Sequence, residues 1–190
     1  MLNKRIMQDY KSTKKILDGE VKNQRARRES YVINMTVSND NDFLSVFSEK
    51  GTPVISREVA EFIEDSTPDI RKKETLTLRV KSNCIDDNEK KLYSRAIKEY
   101  YTEKYVSGKR ELMRDYIIAG ILALVGILVL ALAIFVGYHS TIWSEVIDII
   151  AWVFIWEAVY LAFLETRKLK HNNRKYVAYV SMKIEYTDIK

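Results

Sequence analysis

The chain has 190 residues, enough for one modest domain and a membrane element but too few for two full globular domains. Cys84 is the single cysteine, which excludes an intrachain disulfide. The net charge is +5, and its excess lies at the start, where residues 1–28 hold nine Lys or Arg against three Asp or Glu.

The basic segment at residues 1–28 has the pattern of an amphipathic helix. Its apolar side chains fall within about 100° of arc at the helical period: Leu2, Ile6, Tyr10, Leu17 and Val21. Two interpretations stay open, a surface helix that contacts anionic lipid headgroups or a basic arm in solvent. No nucleic-acid-binding motif accompanies the charge, so nucleic acid is not an expected partner.

Residues 29–115 are predicted to form a cytosolic α+β domain. Strands are expected at residues 31–37 and 75–81, where apolar and polar side chains alternate. Between them, an apolar piece at residues 43–47 precedes a short helix with Ser56 as its N-cap.

A second helix of this domain is expected to begin at Asp86 or Asp87 and to end near Ser107. We expect its buried face to hold Leu92, Ala96, Ile97 and Tyr100. Gly108 should then interrupt the helix before the next segment.

Residues 116–138 form the most apolar run in the sequence, 23 positions without a charge and about 34 Å long as a helix. The hydrocarbon core of a bilayer is about 30 Å thick, so this run can span it. Residues 142–164 are also apolar but include Asp148 and Glu157, which leaves their insertion close to neutral. Because this second run follows a short turn and ends in a basic cluster, we predict a two-helix transmembrane hairpin at residues 116–164.

Aromatic side chains at the ends of these runs are predicted interfacial anchors: Tyr116, Tyr138 and Trp143. Lys and Arg precede the first run and follow the second, whereas the turn at residues 139–141 has neither. The positive-inside rule therefore predicts a protein of the plasma (inner) membrane with both termini in the cytoplasm.

Residues 165–190 are predicted to extend the second helix beyond the membrane and to end in a strand. Met182, Ile184 and Tyr186 alternate with polar residues, which gives this strand one apolar face. Such a strand needs partners, so it should join the earlier sheet. The predicted fold is an α-helical transmembrane hairpin with a small cytosolic α+β domain built from N-terminal and C-terminal segments.

The order of these parts resembles a family of small uncharacterised bacterial two-pass membrane proteins with a cytosolic α+β domain. The best local match is AWVFIWE at residues 151–157, followed by a basic continuation and a final short strand. The likeness covers about residues 30–187. It implies the same architecture and no particular activity.

These residue patterns do not predict an enzyme. His139 lies in the turn and His171 beside the second span, so the cytosolic region lacks a histidine base for Cys84 or a serine. No phosphate-binding glycine loop or zinc-protease motif occurs, and one cysteine with two distant histidines does not make a usual zinc site. We therefore predict no catalytic residue, no bound metal and no cofactor.

The carboxylates of the second span need an explanation, because neither span contains a Lys, Arg or His to pair with them. Asp148 and Glu157 lie about 9 and 10 Å from the ends of the span, and Glu145 lies near the outer interface. Either an oligomer surrounds a wet pathway whose acids favour cations, or protonated or water-linked acids bond across helices. Asp148 and Glu157 face opposite sides of a helix, which one hairpin cannot cover, so we expect a homo-oligomer.

Small residues give each span a seam for close helix packing. They are Gly120, Ala123 and Gly126 in the first span and Ala151, Ala158 and Ala162 in the second. Together these features predict an oligomeric two-pass membrane protein that serves as a non-catalytic membrane-anchored scaffold or regulatory protein. The alternative is a small oligomeric cation channel that uses the intramembrane carboxylates.

Overall fold

The computed structural model describes residues 2–25, 29–48, 51–67, 74–138 and 141–189. In chain order its elements are α1 (Leu2–Arg25), β1 (Glu29–Thr36), α2 (Arg57–Asp65), β2 (Glu74–Lys81), α3 (Asp87–Gly137), α4 (Thr141–Val159), a π-helical segment (Tyr160–Glu165), α5 (Thr166–Ser181) and β3 (Lys183–Thr187). The protein is mostly helical with one small sheet, which confirms this part of the predicted fold.

The chain divides into two compact units. The α/β unit comprises residues 1–106 and 173–190, and the hairpin unit comprises residues 107–172. Helix α1 belongs to the α/β unit, although its sequence has the composition of a separate basic segment.

The sheet of the α/β unit has the strand order β1-β2-β3, and both pairs of neighbours are parallel. In the shared register, Leu78 of β2 lies between Ile33 of β1 and Ile184 of β3. The prediction that the last strand joins the earlier sheet is therefore confirmed. Parallel neighbours require a crossover connection. Helix α2 lies between β1 and β2 in the sequence, and the helices from α3 to α5 lie between β2 and β3.

The apolar face of this sheet forms the main core of the α/β unit. Leu78 and Val80 of β2 are fully buried together with Ile63 of α2 and Ala96 and Ile97 of α3. Burying one large aliphatic side chain contributes about 1.5–3 kcal/mol, so this layer is the main source of stability for the unit.

The buried face of α3 differs from the predicted one at two positions. Tyr93 and Tyr101 are buried, whereas Leu92 is 39% exposed and Tyr100 is half-buried. The tyrosines pack their rings against other aromatic side chains, Tyr93 against Phe43 and Tyr101 against Tyr179. The prediction is therefore confirmed at Ala96 and Ile97 and displaced by one residue at each end, from Leu92 to Tyr93 and from Tyr100 to Tyr101.

Both predicted helix starts have their caps. Ser56 Oγ accepts a hydrogen bond from the Val59 N–H (3.4 Å), and Asp86 Oδ1 accepts one from the Glu89 N–H (2.7 Å). Glu89 Oε2 accepts in return from the Asp86 N–H (2.7 Å), which completes a capping box. The predicted end of this helix is wrong, because α3 continues through Gly108 to Gly137. One internal glycine costs about 1 kcal/mol, which a helix of this length tolerates.

Helix α1 packs against the rest of the α/β unit through the second half of its apolar face. Leu17 and Val21 are buried in a cluster with Tyr105, Val106 and Val177. The Tyr105 hydroxyl donates to Glu20 Oε2 at 3.1 Å. An arm free in solvent is therefore wrong for this half of the segment, and contact with anionic lipid stays a prediction.

The hairpin unit is held together by small residues spaced seven apart. Ala119, Gly126 and Ala133 are buried on α3, and Ala151 and Ala158 are buried on α4. A Cβ on Gly126 would lie 2.7 Å from Ile155 Cγ1 and 3.3 Å from the Ile155 backbone nitrogen. Seven-residue spacing is that of a left-handed coiled coil, here with small side chains that allow close approach of the two helices.

The π-helical segment lengthens the spacing between two buried positions from seven residues to eight. The Thr166 N–H donates to the Leu161 carbonyl five residues earlier, and the Thr166 side chain is 2% exposed. Thr166 thus follows Ala158 by eight residues instead of seven. A π turn inserts one extra residue into a helix, which keeps the polar residue at position 166 in line with the buried stripe.

Candidate functional site

The surface of the hairpin unit is apolar along most of its length. Two helices, Asp87–Gly137 and Thr141–Ser181, are each long and apolar enough to cross a membrane. Only 17% and 11% of their most apolar stretches is buried. Large apolar side chains that are more than a third exposed include Ile117, Ile118, Ile121, Leu124, Ile127, Leu128, Leu132, Ile134 and Phe135 in α3 and Ile142, Trp143, Val146, Ile149, Ile150, Trp152, Val153, Trp156 and Val159 in α4.

The three predicted acids all lie on α4. Asp148 is half-buried, whereas Glu145 and Glu157 are exposed. Among the residues that the structure describes, none forms a hydrogen bond or ion pair with any of the three. Because α4 is a regular helix from Thr141 to Val159, Asp148 and Glu157 are half a turn apart. The structure does not bring these acids together within one chain.

The predicted packing residues divide into two groups. Gly126, Ala151 and Ala158 are buried in the seam between α3 and α4, where Ser144 Oγ also donates to the Ala133 carbonyl at 2.9 Å. Gly120 is exposed, and a Cβ built on it meets nothing within 4 Å. Ala123 and Ala162 are half-buried. Ala119 and Ala133 belong to the seam too, and their seven-residue spacing from Gly126 is the signal that could have identified them.

The three predicted anchors are exposed to different degrees, 38% for Tyr116, 84% for Tyr138 and 64% for Trp143. The turn that the sequence predicts at residues 139–141 lies partly outside the described residues, and Thr141 already begins α4. The role of these side chains at an interface stays a prediction.

A polar cluster at the start of the first apolar run was not predicted as a site. The Lys170 ammonium group donates to the Tyr116 hydroxyl at 2.6 Å and lies 5.3 Å from the centre of its ring. Next to Tyr116, Asp115 is only 7% exposed, and Arg114 Nε lies 3.5 Å from its Oδ1. Thr166 is buried and donates to the Ala162 carbonyl at 2.5 Å. The signal for Asp115 was its position, one residue before an uncharged run.

In the α/β unit, Glu64 of α2 and Lys104 of α3 form a partly buried ion pair at 2.9 Å. The Lys104 ammonium group also lies 4.9 Å from the ring centre of Tyr100. Burial disfavours the charge of Lys104, but hydrogen bonds to Glu64 and Tyr100 outweigh this effect and raise the pKa of its ammonium group. This arrangement joins two helices of the core and does not require a catalytic role.

Ligands for a metal ion are not clustered in the described part of the chain, where no group of three His, Cys, Asp or Glu could hold one. Cys84 is exposed, with its Sγ 3.0 Å from Ser82 Oγ.

No family model, curated protein or solved structure matches this chain.

Proposed function

We propose that the chain is a two-pass membrane protein that serves as a non-catalytic, membrane-anchored scaffold or regulatory protein. Its hairpin unit spans the plasma (inner) membrane, both termini and the α/β unit lie in the cytoplasm, and copies of the chain associate through their hairpins. The resemblance to small bacterial two-pass membrane proteins supports the same architecture.

The main support for membrane insertion is the apolar outer surface of the hairpin unit. Soluble monomers rarely expose continuous apolar patches larger than a few hundred Å². Here large aliphatic and aromatic side chains are exposed along both α3 and α4, and small residues fill the contact between them. Lipid removes the unfavourable hydration of such a surface, and the helical backbone satisfies its own hydrogen bonds there.

The orientation is supported by charge. Lys109, Arg110 and Arg114 precede the first apolar run, and Arg167 and Lys168 follow the second. Basic residues stay preferentially on the cytoplasmic side of a membrane.

Association of copies is supported by polar and small groups on the outside of the hairpin unit. Glu157 is exposed among apolar side chains, and Gly120 leaves open space on another part of the surface. An ionised carboxylate in lipid costs several kcal/mol, so a neighbouring helix or water must stabilise Glu157. A second copy of the chain supplies such a neighbour.

Cysteine labelling tests insertion and orientation. In a Cys84→Ser background, Ser140→Cys and Ile189→Cys should react with a membrane-impermeant maleimide from opposite sides of sealed vesicles. The unsubstituted background serves as the unlabelled control. Labelling of both cysteines from the same side, or release of the protein by alkaline carbonate, contradicts the proposal.

A small cation channel is the second candidate, favoured by the half-buried carboxylate of Asp148 within an apolar helix. If Asp148 and Glu157 line a cation path, Asp148→Asn and Glu157→Gln should preserve oligomer size and reduce cation flux in liposomes. If the acids instead bond between helices, the amide variants should keep the oligomer, whereas alanine at either position should change it. Parent-like size and flux in all four variants would contradict both roles.

A further inference from the structure

A cleft of about 710 Å³ opens in the α/β unit between α1, α3 and β3. Its volume lies within the range of about 300–1,000 Å³ that is usual for small-molecule sites. Tyr10 and Lys14 of α1 form one wall, a long stripe of α3 forms the other, and Tyr186 of β3 contributes to the lining.

The stripe of α3 that lines the cleft is opposite to the one that packs in the core. Lys91, Ser94 and Lys98 follow the spacing i, i+3, i+7, which places them on one side of a helix. The core side of the same helix is formed by residues such as Ala96 and Ile97, which are fully buried. The lysines of the cleft are thus held by a rigid, well-packed element.

Positive charge dominates the cleft. Five Lys or Arg and two Glu line it. Lys90 is paired with Asp87 at 2.9 Å and Arg95 with Glu99 at 2.8 Å. The other three cations of the cleft have no ion pair with any residue in the described ranges: Lys14, Lys91 and Lys98. Three ammonium groups around one cavity therefore have no ion pair with a described residue, and the lining carboxylate outside the two ion pairs is that of Glu103.

Hydrogen bonds of two hydroxyl groups hold Tyr186 in place in the lining of the cleft. The Tyr186 hydroxyl donates to the Lys90 carbonyl at 3.1 Å, and Ser94 Oγ lies 3.1 Å from the same hydroxyl. Because the single proton of Tyr186 is used by the carbonyl, Ser94 is the donor in the second bond. This network joins β3 to α3 and holds the ring of Tyr186 in the wall.

We propose that this cleft binds a ligand that carries phosphate groups, with Lys14, Lys91 and Lys98 as its cationic contacts. Lysine ammonium groups are strongly hydrated point charges that suit phosphate. Lys91 and Lys98 lie about 10 Å apart along the helix, and their flexible side chains can reach two phosphates or converge on one. Both a soluble polyphosphate compound and a phospholipid headgroup have this chemistry.

The site deepens the proposed function by giving the α/β unit a ligand through which a membrane-anchored regulator could respond. It does not depend on membrane insertion, since all of its residues belong to the α/β unit. Binding of a soluble probe in detergent therefore tests the site even if the topology proposal fails.

The test uses the full chain and two probes. Inorganic tripolyphosphate is titrated by calorimetry into the protein in neutral detergent, and lysine acetylation is mapped in nanodiscs of phosphatidylcholine with or without phosphatidylglycerol. The variant carries Lys14→Gln, Lys91→Gln and Lys98→Gln. The matched control carries Lys11→Gln, Lys15→Gln and Lys22→Gln, which removes the same charge from exposed positions outside the cleft. Thermal unfolding verifies that both variants fold.

If the ligand is soluble, we expect tripolyphosphate to bind the parent protein. Its dissociation constant should be at least about tenfold higher for the cleft variant and within about twofold of the parent's for the control. For a lipid headgroup, phosphatidylglycerol should protect Lys14, Lys91 and Lys98 from acetylation without protecting the control lysines. Equal weakening in both variants would show delocalised charge attraction and overturn the site. Absence of both binding and protection would overturn it too.

Discussion

The two units of this protein bury opposite kinds of side chain. In the α/β unit the buried positions hold large apolar residues such as Leu76, Leu78 and Ile97. In the hairpin unit they hold alanine and glycine besides Asp115 and Thr166, while large apolar residues such as Leu128 and Trp156 are exposed. The first pattern is that of a core formed by exclusion from water. The second is that of helices packed by close contact in a solvent that is itself apolar.

The largest expected effect is the difference in stability between two leucine-to-alanine substitutions, one in each unit. Leu78→Ala removes a fully buried side chain and should lower the free energy of unfolding of the α/β unit by about 2–5 kcal/mol. Leu128→Ala, at a position 61% exposed, should change stability by less than about 0.5 kcal/mol. Denaturant-dependent proteolysis in mild detergent, with cleavage sites assigned by mass spectrometry, measures both.

A loss at Leu128 equal to that at Leu78 would contradict the proposal that Leu128 faces lipid. It would instead show that another protein surface covers this position.

Glycine substitutions test the close contact inside the hairpin unit. Gly126→Leu would push its side chain against Ile155 and should destabilise the pairing of α3 and α4 by about 1–3 kcal/mol. Gly120→Leu is the matched control, because a Cβ there meets nothing within 4 Å. Disulfide formation between cysteines at positions 133 and 144, in a Cys84→Ser background, reports the pairing. Equal cross-linking in the two variants would contradict a tight seam at Gly126.

Single-residue deletions test whether the π-helical segment adds one residue to the stripe. Deleting Phe163, 72% exposed, should convert the segment to a regular helix and leave the Lys170–Tyr116 contact in place. Deleting Val153, 63% exposed, should rotate the following part of the helix by about 100° and remove that contact. Cross-linking of cysteines at positions 116 and 170 distinguishes the two. Loss of the cross-link in both deletions would contradict an extra residue at this place.

Local signals in the sequence were sufficient for most elements. Alternation predicted the strands around Ile33, Leu78 and Ile184, and cap chemistry predicted the helix starts at Ser56 and Asp86. These features depend on neighbours in the chain, which the sequence displays directly. The parallel direction of the strands was not predicted, because it depends on how the crossovers pack in three dimensions.

Errors arose where one residue or segment was judged apart from its surroundings. Gly108 was expected to end a helix, yet α3 continues through it because the residues on both sides favour helix. The basic segment at the start could not be assigned a partner from its own pattern, and Leu17 and Val21 pack against Tyr105 and Val177 from distant parts of the chain. The cleft lined by Lys14 and Lys98 was missed for the same reason, since it forms only when α1 packs beside α3.

The smallest expected effect concerns the water-excluded core of the α/β unit and depends on pH. Tyr101 is fully buried and its hydroxyl donates to the Ala60 carbonyl at 3.4 Å. Burial, together with the nearby charge of Glu64, raises the pKa of Tyr101 above its ordinary value of 10.0. The native state therefore keeps its proton when the unfolded chain ionises, so the stability that Tyr101 contributes is present below pH 10 and is lost as the pH rises above it.

Tyr101→Phe should cost about 0.5–1.5 kcal/mol at pH 8 through the lost hydrogen bond. Phenylalanine does not ionise, so this deficit should shrink by about 1 kcal/mol between pH 10 and pH 11. Ile63→Val is the matched control, because it costs about as much in the same core and has no titratable group, so its deficit should be equal at both pH values. Denaturant unfolding of the α/β unit at each pH measures the two deficits. A Tyr101→Phe deficit as constant as that of Ile63→Val would show that water reaches the Tyr101 hydroxyl in the native state. The core of the α/β unit would then not be dry, and its contrast with the exposed apolar surface of the hairpin unit would be weakened.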